Sequence, residues 1–370
     1  MPSSNNIPYF DLTHQFANYR TAWLQEIERL GQTGNFILGS AVNQLESELA
    51  DYLGVKHVVT VANGTDAIII ALRAIGVGSG DTVIVPNFTF YASVEAISLV
   101  GAKPRLVDIC EDDFNVDPQK IREAVDDRVK AILPVHLFGL PANLKEINSI
   151  GEEYGIPVVE DVAQAFGSIY SDAFCGSIGD FGCFSFYPTK VLGAYGDGGM
   201  ITTNCEEYAE KVRLLRNHGI TGPNQHELVG CTSRLDAVQA VILSLKLKSV
   251  SQVITRRREL ADRYRQFLQN YPVDLPKDLP GRKHVFNIFT IRSPERNRIA
   301  DALGSHQIGY QIYYPMPVHN QIPYQGLGYS DEEFPKTMQA CREVLSLPLY
   351  PEMPDQHVDR ICEVVCSALD

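Results

Sequence analysis

No stretch of this chain reaches the ~18 consecutive apolar residues of a membrane-spanning helix, although 45% of its 370 residues are hydrophobic. The opening Met1-Pro2-Ser3-Ser4-Asn5-Asn6 lacks the basic start and apolar run of a secretion signal, so a cytoplasmic location is expected. The eight cysteines, at 110, 175, 183, 205, 231, 341, 362 and 366, form no C-x-x-C pair. Neither a zinc site nor a disulfide framework is therefore indicated, and buried free thiols are expected. Positive charge is scarce: 32 Lys and Arg against 45 Asp and Glu leave a formal net charge of −13. Such a field repels polyanions and excludes general binding to nucleic acid or to an anionic membrane surface. Small anions escape this exclusion, because backbone N–H groups at a helix N-terminus hold a phosphate whatever the net charge. A serine-hydrolase reading fails for want of a G-x-S-x-G elbow. His136, His218 and His319 stand apart without metal-ligand spacing, so no metal is expected.

What the chain does have is alternation. After expected helices at 12–30 and 41–52, short apolar runs alternate with helical patterns, the signature of βαβ units. Strands are expected at His57–Val61, Thr82–Val85, Lys103–Val107, Val129–Val135, Pro157–Asp161, Phe181–Phe186 and Gly199–Thr203. Helices are expected at Ala67–Ile75, Tyr91–Leu99, Pro118–Val125 and Leu144–Tyr154. The implied fold is α/β, a mostly parallel mixed sheet covered by helices on both faces. From Ser233 to Asn270 the pattern predicts one long helix, after which Pro272, Pro276 and Pro280 punctuate the chain. The remainder predicts a strand at Val285–Ile291, a helix at Glu295–Leu303, a strand at Gln311–Tyr314 and a helix at Pro354–Leu369. Two domains are expected, a large α/β domain over residues 1–250 and a smaller α+β domain over 251–370.

Chemistry concentrates between Pro157 and Gly199. One apolar strand ends in Glu160-Asp161-Val162-Ala163-Gln164, and a second is soon followed by Ser185-Phe186-Tyr187-Pro188-Thr189-Lys190. An acid and a lysine so placed suit pyridoxal phosphate, whose ring acts as an electron sink while a carboxylate keeps its nitrogen protonated and a lysine holds its aldehyde as a Schiff base. Asp161 and Lys190 are the candidates. Gln164 could reach the ring's phenolic oxygen, Phe90 could stack on a planar cofactor, and Ser185 offers a further hydroxyl. Gly64 and Thr65 open an expected helix after a strand, a place for the phosphate. Each has an ordinary alternative: a capping acid, a surface lysine, a helix N-cap, a core aromatic.

Taken in order, the segments resemble a known family. They include Asn63-Gly64-Thr65-Asp66-Ala67, Pro86 to Ser93, Pro134-Val135-His136-Leu137-Phe138-Gly139, Glu160 to Gly167 and Gly179 to Lys190. Further on come Gly196-Asp197-Gly198-Gly199, Arg216-Asn217-His218-Gly219, Ser233-Arg234-Leu235-Asp236 and Tyr314-Pro315-Met316-Pro317-Val318-His319. Together they resemble the DegT/StrS family of pyridoxal-phosphate-dependent nucleotide-sugar aminotransferases, which has the aspartate aminotransferase type I fold. The resemblance is nearly full-length. It implies that Lys190 is the Schiff-base lysine and that Asp161 pairs with the pyridinium nitrogen. It also implies that Gln164 bonds the phenolic oxygen, that Gly64, Thr65 and Ser185 bind the phosphate, and that Phe90 lies against the ring. The implied amino donor is glutamate, the acceptor is a keto sugar on a nucleotide diphosphate, and the assembly is a homodimer with shared active sites.

The chain departs from its relatives at three places. Thr232 stands where the family usually has an asparagine donated from the neighbouring subunit to the cofactor phosphate. Asn287 and Tyr313, near the expected sugar pocket, stand where histidine is frequent. The wording Ser233-Arg234-Leu235-Asp236 resembles the branch acting on 3-keto sugars, so amination at C3 of a dTDP- or UDP-linked 3-ketohexose is expected. The alternatives are a C4 aminotransferase and a non-catalytic regulatory member of the fold. A dehydratase branch, in which histidine replaces the lysine, is disfavoured by Lys190.

Overall fold

The structure is a computed structural model that describes residues 6–370. Seven short strands carry the site: β1 (His57–Val61), β2 (Thr82–Pro86), β3 (Lys103–Val107), β4 (Val129–Ile132), β5 (Val159–Asp161), β6 (Phe181–Ser185) and β7 (Gly199–Thr203). Hydrogen bonding orders them β3-β2-β4 and β5-β6-β7-β1. Parallel bridges from Ile132 to Val158 and from Val135 to Asp161 join β4 to β5, so the two sets form one sheet. β7 alone runs against the direction of the other six strands, as expected for a mostly parallel mixed sheet.

Side chains on successive strand residues enter opposite cores, as the period of two requires. Val83 and Val85 of β2 join one cluster with Ile70 and Ala71 of a helix, Gly64–Ala74, while Ile84 between them joins another with Ile147 and Ile150 of the helix Leu144–Tyr154. Ile201 and Met200 of β7 divide in the same way, Met200 meeting Leu45 and Leu49 of the helix Ser40–Leu53. Both faces are thus sealed, which explains why β2 and β7 are buried at every residue. Ile70 is completely buried, and truncating it to alanine would cost about 2–5 kcal/mol.

The long helix expected from Ser233 to Asn270 is two helices, Ala237–Leu247 and Val250–Leu268, bent by 64° at the break. Ser249 sits there with its hydroxyl on the Lys246 carbonyl, a side-chain bond that competes with helix continuation. Ser233 to Asp236 is not helical, and Asp236 pairs as an isolated bridge with Ile37. Further along, β8 (Phe289–Arg292) pairs antiparallel with β9 (Val344–Leu347). The strand expected from Val285 starts only at Phe289, because Val285 and Ile288 donate instead to the carbonyls of Gly139 and Phe138. No strand forms at Gln311–Tyr314; only Gln311 pairs, with Ser346. A C-terminal core of Leu260, Tyr264, Phe289, Leu303, Leu345 and Ile361 also takes in Ile7 from the other end of the chain. Among the described residues no single helix is long and apolar enough to cross a membrane.

Candidate active site

The carboxyl ends of β1, β2, β5 and β6 open into one cavity of about 830 Å³, where ligands of open α/β sheets are expected. Gly64, Thr65, Phe90, Asp161, Gln164, Ser185 and Lys190, seven of the residues singled out from the sequence, line it. Thr232 does not. It is exposed on an irregular segment, its hydroxyl 2.7 Å from His218 Nε2.

Asp161 closes β5 and is buried. Its Oδ2 accepts from the Ser93 hydroxyl at 2.7 Å and its Oδ1 from the Ala163 N–H at 3.0 Å. Burial raises its carboxyl above the usual range, opposed by those two donors and by the charge of Lys190. An acid held by neutral donors, with no salt-bridge partner among the described residues, still has its charge to offer to a cation in the cavity. Burial likewise lowers the Lys190 amine to about 8, with Asp161 opposing. A good share of it is therefore an uncharged nucleophile near neutral pH.

The rim is built from a helix N-terminus. Asn63 caps the helix Gly64–Ala74 by accepting from the Asp66 N–H at 2.8 Å, leaving the first amides free to face an anion. Gly64 packs on the end of β6, where an added Cβ would lie 2.8 Å from the Ser185 Cβ. Helix terminus and Ser185 hydroxyl can meet there only because position 64 has no side chain. Asp66 Oδ2 also accepts from the Ser233 hydroxyl at 2.6 Å, and Ser233 Oγ accepts from the Ala62 N–H at 3.1 Å. The Ser-Arg-Leu-Asp segment thus ties the phosphate-type rim to the bent helix pair. Opposite, Gln164 accepts from the Phe138 N–H at 2.7 Å and donates to the Tyr314 hydroxyl at 3.1 Å. Phe90, 56% exposed, lies with its ring 6.2 Å from that of Tyr314.

Sequence reading missed two supporting groups. Ser93 holds Asp161, and its signal was only its place one turn into the helix Tyr91–Leu99, which follows β2. Glu160 points away from the cavity and is completely buried. It accepts from the N–H groups of Gly176, Ile178 and Gly179 and from His136 Nε2. His136 Nδ1 accepts from the Ala142 N–H, which puts the ring proton on Nε2. With Cys175 these two residues bring ligand-type atoms within 4.8 Å of one another. The four donors on Glu160 and the two bonds of His136 satisfy the polar group without a metal. Fold and cavity fit pyridoxal phosphate: an unpaired buried acid, a lysine of lowered basicity, and a glycine-backed helix N-terminus face one space.

Comparison with known proteins agrees. Residues 18–366 match the DegT/DnrJ/EryC1/StrS aminotransferase family. The chain is 42% identical over 359 residues to a dTDP-3-amino-3,6-dideoxy-alpha-D-galactopyranose transaminase of Aneurinibacillus thermoaerophilus, covering 97% of this chain and 98% of that one. It is 40% identical over 369 residues to a UDP-N-acetyl-3-dehydro-alpha-D-glucosamine 3-aminotransferase of Acidithiobacillus ferrooxidans, covering 100% of each. A pleiotropic regulatory protein of Geobacillus stearothermophilus is 41% identical over 365 residues, covering 98% of each. The crystal structure of S. venezuelae DesV with a ketimine intermediate superposes with a TM-score of 0.97 at 35% identity, covering 99% of this chain and 100% of that one. The chain belongs to the DegT/DnrJ/EryC1/StrS aminotransferase family.

Proposed function

We propose that this protein uses pyridoxal phosphate to move an amino group from glutamate to the C3 ketone of a hexose carried on dTDP or UDP. The observation that carries the reading is the pairing, in one cavity, of a buried carboxylate with no salt bridge among the described residues and a lysine lowered to about 8. When bound, the cofactor supplies the electron sink that lets the donor's α-carbon lose a proton. Lys190 would hold the cofactor's aldehyde, and its amine, once released, would be the group to carry that proton. Asp161 would keep a proton on the ring nitrogen, with Ser93 and the Ala163 N–H fixing its carboxylate. Gln164 would hold the phenolic oxygen, Phe90 would lie against the ring, and Gly64, Thr65 and Ser185 would hold the phosphate.

The relatives named as 3-aminotransferases and 3-amino-sugar transaminases favour C3 over C4. The relative named as a regulatory protein favours a second reading, a non-catalytic member. Against it stand Asp161 and Lys190 together, which a binding module does not need. We further propose a homodimer in which Thr232 reaches the phosphate of the partner's site. Support comes from Phe36 and Ile37, 48% and 49% exposed beside the bent helix pair, apolar surface that a second copy would cover.

The test is to incubate the protein with pyridoxal phosphate, glutamate and dTDP- and UDP-linked 3-keto and 4-keto hexoses, and to locate the new amine by NMR. Amine at C3 is expected. Amine at C4 overturns the position, and no transfer with any acceptor overturns the enzyme reading.

A further inference from the structure

Lys246 is a second buried lysine, on the helix Ala237–Leu247, that the proposed chemistry does not use. Lysine is seldom buried unless its amine has partners. The Lys246 Nζ donates at 2.6 Å to the Gln15 Oε1 and at 2.6 Å to the Gly193 carbonyl, and it lies 4.2 Å from the centre of the Tyr195 ring. Burial lowers this amine to about 7, with Glu352 opposing. Charged or neutral, it keeps an N–H for each of its two acceptors.

The Gly193 carbonyl belongs to the turn that carries Lys190. That turn is closed by the Lys190 N–H on the Tyr187 carbonyl at 2.9 Å and by the Ala194 N–H on the Phe186 carbonyl at 2.7 Å. Gly193 packs directly on the residues before Lys190: an added Cβ would lie 2.7 Å from the Pro188 carbonyl carbon and 2.9 Å from the Tyr187 oxygen. Gln239, two turns before Lys246 on the same side of its helix, holds the turn at a second point. It accepts from the Tyr195 N–H at 2.9 Å and donates to the Tyr195 carbonyl at 3.3 Å. The helix Thr13–Thr33 completes the arrangement, bringing Gln15 to Lys246 and the rings of Phe16 and Trp23 to 5.7 and 5.1 Å from that of Tyr195. Gln15, Gly193, Tyr195, Gln239 and Lys246 do not line the cavity, whereas Tyr187, Thr189 and Lys190 do. A segment with glycine at 193 and 196 is costly to order, and bonds from two packed helices supply the constraint from outside.

We propose that Lys246 and Gln239 are positioning residues for Lys190: from outside the cavity they fix the turn that sets where the Lys190 amine can reach. The inference rests on the reading of Lys190 as the group that takes the cofactor's aldehyde.

Two variants of the full chain test it, Lys246→Met, close in length and without a donor, and Gln239→Leu. In the cofactor-free proteins, hydrogen exchange of the 187–196 amides should quicken by about 5-fold or more, the scale of one lost hydrogen bond, while β6 and β7 exchange as in the wild type. Capture of added pyridoxal phosphate, followed by absorbance, should slow by about 10- to 100-fold, the effect of a misplaced reacting group. Capture at the wild-type rate, unchanged exchange of the turn, or exchange raised alike in β6 and β7 overturns the inference. Should Lys246→Met fail to fold, Gln239→Leu is judged by the same readings. A wild type that takes up no pyridoxal phosphate would strike the proposed function itself, whereas the exchange of the turn, measured without cofactor, judges Lys246 and Gln239 separately.

Discussion

At the scale of single residues, the site works by withholding partners. Asp161 is held by two neutral donors and has no salt bridge among the described residues, so in the proposed arrangement its carboxylate is open to a protonated ring nitrogen. Asp161→Asn should fold normally and lose turnover by at least about 10²-fold, the scale of removing one preorganised electrostatic partner. Steady-state kinetics beside a thermal melt would check it, and wild-type turnover would remove Asp161 from the site. Lys190 gives a prediction in pH. With the amine lowered to about 8, about a quarter of it is uncharged at pH 7.5, against roughly one part in a thousand for an ordinary lysine. Capture of added pyridoxal phosphate, followed by stopped-flow absorbance, should speed up as pH rises and level off above about 8 rather than above 10.5. The same lowering means that folding favours the uncharged amine. The cofactor-free protein therefore carries a full penalty below pH 8, relieved as pH rises toward the ordinary lysine value of 10.5. Lys190→Met should be the more stable protein below pH 8, with the difference fading at higher pH.

At the scale of elements, strand ends and the turns after them set the geometry. Neighbouring residues of β5 divide the work: Asp161 faces the cavity, and Glu160 faces the opposite core, where the 176–179 turn and His136 hold it. Glu160→Gln replaces one acceptor oxygen by an amide that opposes backbone N–H donors. The expected cost is about 2–5 kcal/mol, read as a lower midpoint in urea, with weaker cofactor binding because β5 loses its anchor. An unchanged midpoint would show that the four bonds contribute little. Most of these elements were legible in the chain. Lys103–Val107, Tyr91–Leu99, Leu144–Tyr154 and Gly199–Thr203 have the bounds that their patterns predict, since apolar runs between turn residues leave few alternatives. The helix Glu206–Leu215, the helix Pro335–Glu343 and β9 were not anticipated. Val285–Ile288 and Gln311–Tyr314 read as strands because they are apolar or aromatic, yet long-range contacts with Phe138, Gly139 and Ser346 decided their course.

At the scale of the whole molecule, the cavity joins distant parts of the chain. Tyr9 from one end and Leu349 from the other line it together with the strand ends of the central sheet. The described chain supplies only one cationic side chain to this lining, although the proposed cofactor, donor and sugar nucleotide are all anionic. Assembly offers a natural complement. A sedimentation or light-scattering mass near twice 41.1 kDa is expected, and Thr232→Val should weaken cofactor retention in that assembly without changing its mass. A monomer that turns over normally would refute both parts.

The sequence by itself determined the fold class, the strand-end placement of Asp161 and the turn-rich setting of Lys190, because period, apolar runs and glycine placement are local properties. It also placed Gly64, Thr65, Phe90, Gln164 and Ser185 at strand ends or turns, one resemblance linking them. Only the tertiary structure decided that these residues, with Asn287 and Tyr314 from far along the chain, face a single space. It alone decided that Ser93 holds Asp161, that Glu160 turns inward and that Asn287 Oδ1 has no partner among the described residues. Burial and hydrogen-bond partnership arise from segments distant in sequence, and these set the basicity of Lys190 and the unmet bonding capacity of Asn287.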